Sequence, residues 1–124
     1  MPASITGTVV EADQLHALNA AVRERGGVLV VDEIYHGLVY EGKEHSILEF
    51  TDRAFVLNGF SKLFAMTGLR LGYVIAPKPF VRPMQKLQQN FFISANAMVQ
   101  QAGIAALKDA GDDVARMQKI YNKR

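Results

Sequence analysis

The sequence predicts an α/β fold in which a narrow, mostly parallel sheet is flanked by helices, as in part of a three-layer sandwich. The clearest observation is a run of four apolar residues at 28–31, three of them β-branched, which ends abruptly at Asp32. A second apolar run occupies 54–57 and ends at Asn58. Such continuous runs are typical of parallel strands that are buried on both faces. Amphipathic segments before and after them give the alternation that favours the α/β class.

The remaining elements are predicted from the periodicity of apolar residues. Leu15, Leu18 and Val22 form an apolar stripe at helical spacing near the N-terminus. Two further stripes consist of Phe80, Met84, Leu87 and Phe91, and of Val114, Met117 and Tyr121. The expected order is a helix over about 11–25, strands at 28–31, 54–58 and 71–76, and helices from about 79 or 83, over about 95–109, and from about 112 to 124.

The limits of the helices are predicted from capping residues. The Gly26-Gly27 pair can end the first helix, because glycine adopts the left-handed conformation that follows many helices. Ser94 can cap the third helix, and Gly111 can end it. Proline fits only the first turn of a helix, so Pro83 raises the alternative that the second helix starts there rather than near Pro79.

Length and composition indicate one globular domain over residues 1–124. Apolar residues make up 49% and charged residues 21% of the chain, which are ordinary values for a globular protein. The net charge of +2 does not indicate nucleic acid or an anionic membrane as a partner. The absence of cysteine excludes disulfides and thiolate chemistry. Neither a spanning segment of about 20 apolar residues nor a signal-peptide pattern is found, so we expect a cytoplasmic protein.

Two clusters of polar residues follow the predicted strands. The first is Asp32-Glu33-Ile34-Tyr35, directly after the first apolar run. The second is Gly59-Phe60-Ser61-Lys62, after the second run, and the segment from Gly68 to Tyr73 follows soon after it. Ligands of open α/β sheets bind beyond the carboxyl ends of the strands. We therefore expect the acid of the first cluster and the lysine of the second to face one crevice.

The second cluster matches the pattern Ser-Lys-x-x-x-x-x-Gly-x-Arg-x-Gly-Tyr over residues 61–73. This is the signature of class I/II (fold type I) aminotransferases, which depend on pyridoxal 5'-phosphate (PLP), and the chain resembles that family over essentially its whole length. The first cluster is similar to the family's Asp-Glu-x-Tyr motif, and Thr6-Gly7-Thr8 to the end of its Asn-Pro-x-Gly turn. The resemblance implies the central part of the large, PLP-binding domain.

The resemblance implies a role for three residues around the PLP ring. Lys62 would be the catalytic residue, forming the Schiff base with the cofactor aldehyde and then moving a proton at the substrate Cα. Asp32 would pair with the protonated pyridine nitrogen and so keep the ring an electron sink. Glu33 would face the other way, because adjacent strand residues alternate between faces. Tyr35 would donate a hydrogen bond to the phenolic oxygen of the cofactor.

The resemblance also implies contacts to the cofactor phosphate. Arg70 would pair with it through the planar guanidinium, and Ser61 would offer its hydroxyl. The chain departs from the family at Gly59, where a phosphate-binding serine is usual, so one contact is expected to be lost. It departs again at Ser4-Ile5, where the family has Asn-Pro and where the asparagine helps to hold the phenolic oxygen.

The resemblance implies an amino acid and a 2-oxo acid as substrates, and a homodimer as the working state. A chain of 124 residues is too short for the complete enzyme, so we expect half of a cofactor site and no substrate-binding arginine. Two alternatives remain open, namely a C–S β-lyase on the same scaffold and a non-catalytic fragment or interaction module. The three histidines lack metal-ligand spacing, and His36, which follows Tyr35, is a candidate for the mouth of the pocket.

Overall fold

A computed structural model describes residues 7–123 and confirms the α/β fold class. The predicted turn at Ser4, Ile5 and Thr6 lies outside the described residues. The elements in chain order are α1 (Ala12–Glu24), β1 (Val30–Asp32), β2 (Phe55–Gly59), β3 (Gly72–Ile75), α2 (Lys78–Phe91), α3 (Ala97–Asp109) and α4 (Gly111–Asn122).

Helix α1 begins and ends at residues whose chemistry explains its limits. Glu11 and Gln14 form a reciprocal capping box at the N-terminal end. At the other end, Gly26 has φ +65°, and the amides of Gly26 and Gly27 bond back to the carbonyls of the last turn, as predicted for this glycine pair. The predicted apolar stripe is only partly buried, because Leu18 is 46% exposed.

The sheet has the order β1-β2-β3 and is mixed. Strands β1 and β2 are parallel, with Val31 opposite Val56. Strands β2 and β3 are antiparallel, with Asn58 opposite Tyr73, so the expectation of a mostly parallel sheet holds for one of the two pairings. The segment 60–71 turns back without a crossover helix, and parallel strands need a longer crossover.

The core lies on one face of the sheet, between the strands and α1. It consists of Leu15, Val31, Ile47, Ala54 and Val56, all buried. The prediction that the strands are buried on both faces was wrong, since alternate residues are exposed, such as Val30 at 65%. Among the described residues the second face is covered only in part: one contact there joins the ring of Phe80 in α2 edge-on to Phe55, at 5.2 Å.

Helix α2 starts at Lys78, in agreement with the Pro79 alternative, and keeps Pro83 in its interior. Pro83 is the sixth residue of the helix, so the missing amide removes one hydrogen bond near its N-terminal end. The predicted apolar stripe is largely exposed, with Leu87 at 58% and Phe91 at 74%.

The cap and the end of α3 differ from those predicted. Asn96, rather than Ser94, accepts hydrogen bonds from the first amides of α3. Gly111 does not end α3 but begins α4, whose first turn carries Asp112 and Asp113. Negative charge there is favourable next to the helix dipole. Over residues 7–123, no helix has both the length and the apolar character needed to cross a membrane.

Candidate functional site

The parallel pairing of β1 and β2 places their carboxyl ends side by side. Asp32, the last residue of β1, lies opposite Leu57 in β2. The chain then leaves β1 into a turn over 33–37, called here the Tyr35 turn, and leaves β2 into the loop 60–71 that carries Lys62. The two segments are distant in sequence, but the register of the strands makes them neighbours.

A cleft of about 800 Å³ lies between these two segments. Lys62, Tyr35 and Ser61 all line it, so three of the five predicted site residues share one cavity. The Nζ atom of Lys62 lies 5.4 Å from the centroid of the Tyr35 ring. The other lining residues are Gly7, Val9, Leu38, Val39, Tyr40, Glu41, Ala65, Thr67, Met117, Tyr121 and Asn122.

The Tyr35 turn is closed by its own backbone. The amide of His36 bonds to the carbonyl of Glu33 at 2.8 Å, and the amide of Leu38 to that of Tyr35 at 3.1 Å. Glu33 is 3% exposed, while Asp32 is exposed on the opposite side of the strand end. The opposite orientation of these two acids was predicted from strand alternation.

The loop that carries Lys62 is held by several hydrogen bonds. The carbonyl of Lys62 accepts from the amide of Ala65 at 3.2 Å, and the hydroxyl of Thr67 donates to the carbonyl of Ser61 at 2.8 Å. Ala65 and Arg70 have φ of +53° and +56°, a left-handed conformation that costs free energy for residues other than glycine. The surrounding contacts must therefore compensate for this strain.

Asp32 and Arg70 do not line the cleft. One carboxylate oxygen of Asp32, Oδ1, accepts from the amide of Ile34 at 3.0 Å. Arg70 is exposed, and its Nη1 donates to the carbonyl of Thr67 at 3.1 Å. Within the described part of the chain, neither residue forms an ion pair.

Close contact between strands explains why a glycine stands at position 59. A Cβ atom on Gly59 would lie 2.9 Å from the carbonyl oxygen of Leu71 and 3.1 Å from the Cα of Gly72. Both are backbone atoms that cannot move aside without changing the pairing of β2 with β3. A serine at this position would therefore require the backbone of β2 or β3 to shift.

Two features of the site were not predicted from the sequence. Met117 and Tyr121 of α4 line the cleft, although their spacing indicated a core stripe. No pattern in the sequence of α4 indicates that it contacts a site formed by residues much earlier in the chain. His36 does not line the cleft; it lies between two carboxylates, with its Nδ1 3.8 Å from Glu33 and 3.7 Å from Glu44.

Comparison with known proteins identifies the family. The model of a family described as aminotransferase class I and II matches residues 1–124. The chain belongs to this family. The match covers both segments that form the cleft, including the motif around Lys62.

Individual family members support the assignment. The (5-formylfuran-3-yl)methyl phosphate transaminase of Methanocaldococcus jannaschii is 45% identical over 77% of this chain and 27% of its own length. The aspartate aminotransferase of Sulfurisphaera tokodaii is 35% identical over 99% of this chain and 31% of its own length. The chain thus spans less than a third of either relative.

Solved structures of aminotransferases have the same fold. An aromatic aminotransferase from Pyrococcus horikoshii superimposes with a TM-score of 0.92 and 34% identity, over 98% of this chain and 34% of that one. An aminotransferase from Mycobacterium tuberculosis gives a TM-score of 0.89 and 34% identity, over 95% of this chain and 33% of that one.

Proposed function

We propose that residues 1–124 are part of the PLP-binding large domain of an aminotransferase, with Lys62 as the cofactor lysine. The observation that carries the proposal is the shared cleft, in which Lys62 and Tyr35 meet at the carboxyl ends of two parallel strands. Membership of the aminotransferase class I and II family gives this cleft its chemical meaning. The reaction we propose is transfer of an amino group from an amino acid to a 2-oxo acid.

The donors and acceptors of the cleft fit PLP. An amine, a phenol and an aliphatic hydroxyl converge in it, from Lys62, Tyr35 and Ser61. They suit the aldehyde, the phenolic oxygen and the phosphate of the cofactor, in that order. Asp32 and Arg70, which are exposed and do not line the cleft, carry the charges that would suit the pyridine nitrogen and the phosphate. The cleft, at about 800 Å³, is large enough to hold a ligand of this size.

Each of these residues has a defined task. When bound, PLP supplies an electron-withdrawing ring that stabilises negative charge on the substrate Cα. Asp32 would hold the proton on the ring nitrogen of bound PLP, because a carboxylate attracts the positive charge of the protonated pyridine. Lys62 holds the cofactor through its amine and, once released, takes a proton from the substrate Cα as a general base. Tyr35 donates to the phenolic oxygen, and Arg70 and Ser61 orient the phosphate.

The substrate carboxylate needs a cation that this cleft does not provide. Lys62 is the only cationic side chain among the described residues that line it. We therefore propose that the substrate-binding arginine lies in a segment of polypeptide outside residues 1–124, together with the residues that set the amino-acid preference. The C–S β-lyase alternative differs in those residues, so it stays open.

A second copy of the chain is the partner we propose. Apolar side chains that a monomer would leave in water support this, including Phe91, Phe92 and Ile93 at 74%, 76% and 83% exposure. The same surface is the observation that favours the non-catalytic interaction module. Light scattering on the purified chain tests for the dimer, and fractionation of the source cells tests the predicted cytoplasmic location.

A product assay tests the proposed reaction. The chain, joined to the polypeptide that supplies the substrate-binding arginine and loaded with PLP, is incubated with an amino acid and a 2-oxo acid, and both the new amino acid and free ammonia are measured. An aminotransferase forms the new amino acid in a 2-oxo acid-dependent manner, and Lys62→Ala abolishes it while Lys119→Ala on α4 does not. Release of ammonia and a thiol without consumption of the 2-oxo acid would identify the lyase instead.

A further inference from the structure

Gly37, two residues after Tyr35, connects three parts of the chain. Its amide donates to both carboxylate oxygens of Glu44, at 2.7 and 2.9 Å. Its carbonyl accepts a hydrogen bond from the side-chain amide of Gln118, in α4. Both polar groups of one peptide residue are thus bound by side chains from outside the Tyr35 turn.

The same residue also contacts the loop that carries Lys62. Gly37 has φ +92°, a conformation that favours glycine, and a Cβ atom there would lie 2.8 Å from Cδ1 of Leu63. Leu63 is the neighbour of Lys62 in sequence. Gly37 therefore lies where the Tyr35 turn and the lysine loop pack together.

The other end of the Tyr35 turn is fixed by a buried carboxylate. Oε1 of Glu33 accepts from the hydroxyl of Ser46 at 3.0 Å and from the amide of Ile47 at 2.9 Å. Tyr35 consequently lies between two residues that are held by hydrogen bonds to a carboxylate. Glu33 is held through its own carboxylate, and Gly37 is held by the carboxylate of Glu44. The buried Nδ1 of His36, which has no hydrogen-bond partner among the described residues, lies between the Glu33 and Glu44 carboxylates.

We propose that Glu44 is a positioning residue for the aminotransferase site and that Gln118 assists it. Through Gly37, the two side chains fix the Tyr35 phenol relative to Lys62. The effect on PLP rests on the proposed function above; the effect on the turn does not. Glu44 does not line the cleft, so it acts through the backbone and not on the substrate.

The hydrogen bonds from Gly37 to Glu44 are of a kind strong enough for this role. The side chain of Glu44 is 21% exposed, so its hydrogen bonds to Gly37 are only partly screened by water. Hydrogen bonds to an ionised acceptor are stronger than neutral ones, and two oxygens on one amide also restrict its direction. A catalytic side chain must be held within about 0.5 Å of its working position. If Gly37 were free to change conformation, Tyr35 would lose that precision.

The first test uses the chain without cofactor and measures hydrogen exchange at the Gly37 amide by NMR at one fixed pH. A fixed pH is needed because Glu33, His36 and Glu44 are titratable and face each other. We expect exchange to rise at least about tenfold in Glu44→Ala and by less in Glu44→Gln, which keeps one acceptor oxygen. Glu24→Gln, the same change on an exposed residue of α1, should leave it unchanged. Unchanged exchange in Glu44→Ala overturns the proposal.

The second test uses the PLP-loaded protein and follows the pH midpoint of the cofactor absorption change in a double-mutant cycle. Tyr35→Phe shifts the midpoint if the phenol contacts PLP. Glu44→Ala and Gln118→Ala should shift it in the same direction by a smaller amount, and neither should add to the shift of Tyr35→Phe. Additive shifts, or none in Glu44→Ala, overturn the positioning role. No shift in Tyr35→Phe itself would instead refute the proposed PLP contact of Tyr35.

Discussion

The Nζ atom of Lys62 lies 5.4 Å from the centroid of the Tyr35 ring, although 26 residues separate them in the chain. The two residues follow adjacent parallel strands, so the pairing of Asp32 with Leu57 brings the segments that carry them side by side. A cation near an aromatic face is attracted by the ring electrons. The relationship therefore follows from the way the two strands pair.

Replacement of Tyr35 by phenylalanine should change the pH dependence of the PLP absorption and leave the fold intact. The ring and its packing remain, but the hydroxyl no longer donates to the phenolic oxygen of PLP. That oxygen then carries more negative charge and holds the neighbouring proton more tightly. We expect the pH midpoint of the absorption change to move to higher pH, by about one unit for the loss of one hydrogen bond to a charged group. A midpoint that stays in place or moves to lower pH would contradict the assigned contact.

Introduction of the serine that is usual in the family at position 59 should destabilise this chain. In Gly59→Ser the new Cβ would meet the Leu71 carbonyl at 2.9 Å, and the strands would have to separate. We expect a loss of about 1–3 kcal/mol in the free energy of unfolding, measured with urea. Gly111→Ser is the matched control, because nothing other than its chain neighbours and the backbone of its own helix lies within 4 Å of its Cβ position. Equal stability of the two variants would refute this account of Gly59.

The core prediction compares two leucines of α1. Leu15 is fully buried and Leu18 is 46% exposed. Leu15→Ala should lower the free energy of unfolding by about 2–5 kcal/mol, because it removes buried methyl groups and leaves a cavity. Leu18→Ala should cost about 0.5 kcal/mol or less, since surface substitutions rarely cost more. The same cost at both positions would mean that α1 does not pack as described.

Glu49 should make a small, pH-dependent contribution to stability. The hydrogen bond from His45, at 2.8 Å, and that from the Ser46 amide hold the pKa of Glu49 below its usual value of 4.5. Because the folded-state pKa is lowered, the stabilisation is present above pH 4.5 and is lost as the pH falls through the folded-state pKa. His45→Ala, which removes the donor, should return the pKa towards 4.5 in an NMR titration of the carboxyl carbon. An unchanged titration would show that His45 is not the cause.

The sequence was sufficient to predict the features that depend on short-range patterns. The apolar run before Asp32 indicated β1, the Gly26-Gly27 pair indicated the end of α1, and strand alternation separated Asp32 from Glu33. The motif around Lys62 indicated the family. Each of these is local chemistry that a few neighbouring residues determine.

Features that depend on distant packing were not predictable in the same way. The antiparallel direction of β3 depends on how the 60–71 connection turns back, which no single residue encodes. The contact of Gln118 with Gly37 joins residues that are 81 positions apart. Val30 is apolar and β-branched, like many residues of buried strands, but it is exposed. An apolar side chain indicates a preference for burial, but it does not indicate which part of the protein would cover it.

The most direct test of the central claim is to locate the residue that binds PLP. The chain is incubated with PLP, reduced with borohydride, digested and mapped by peptide mass spectrometry, with Lys62→Ala as the control. The account predicts a single adduct on the peptide that contains Lys62, absent from the control. No adduct, or adducts scattered over exposed lysines such as Lys78 and Lys119, would contradict it.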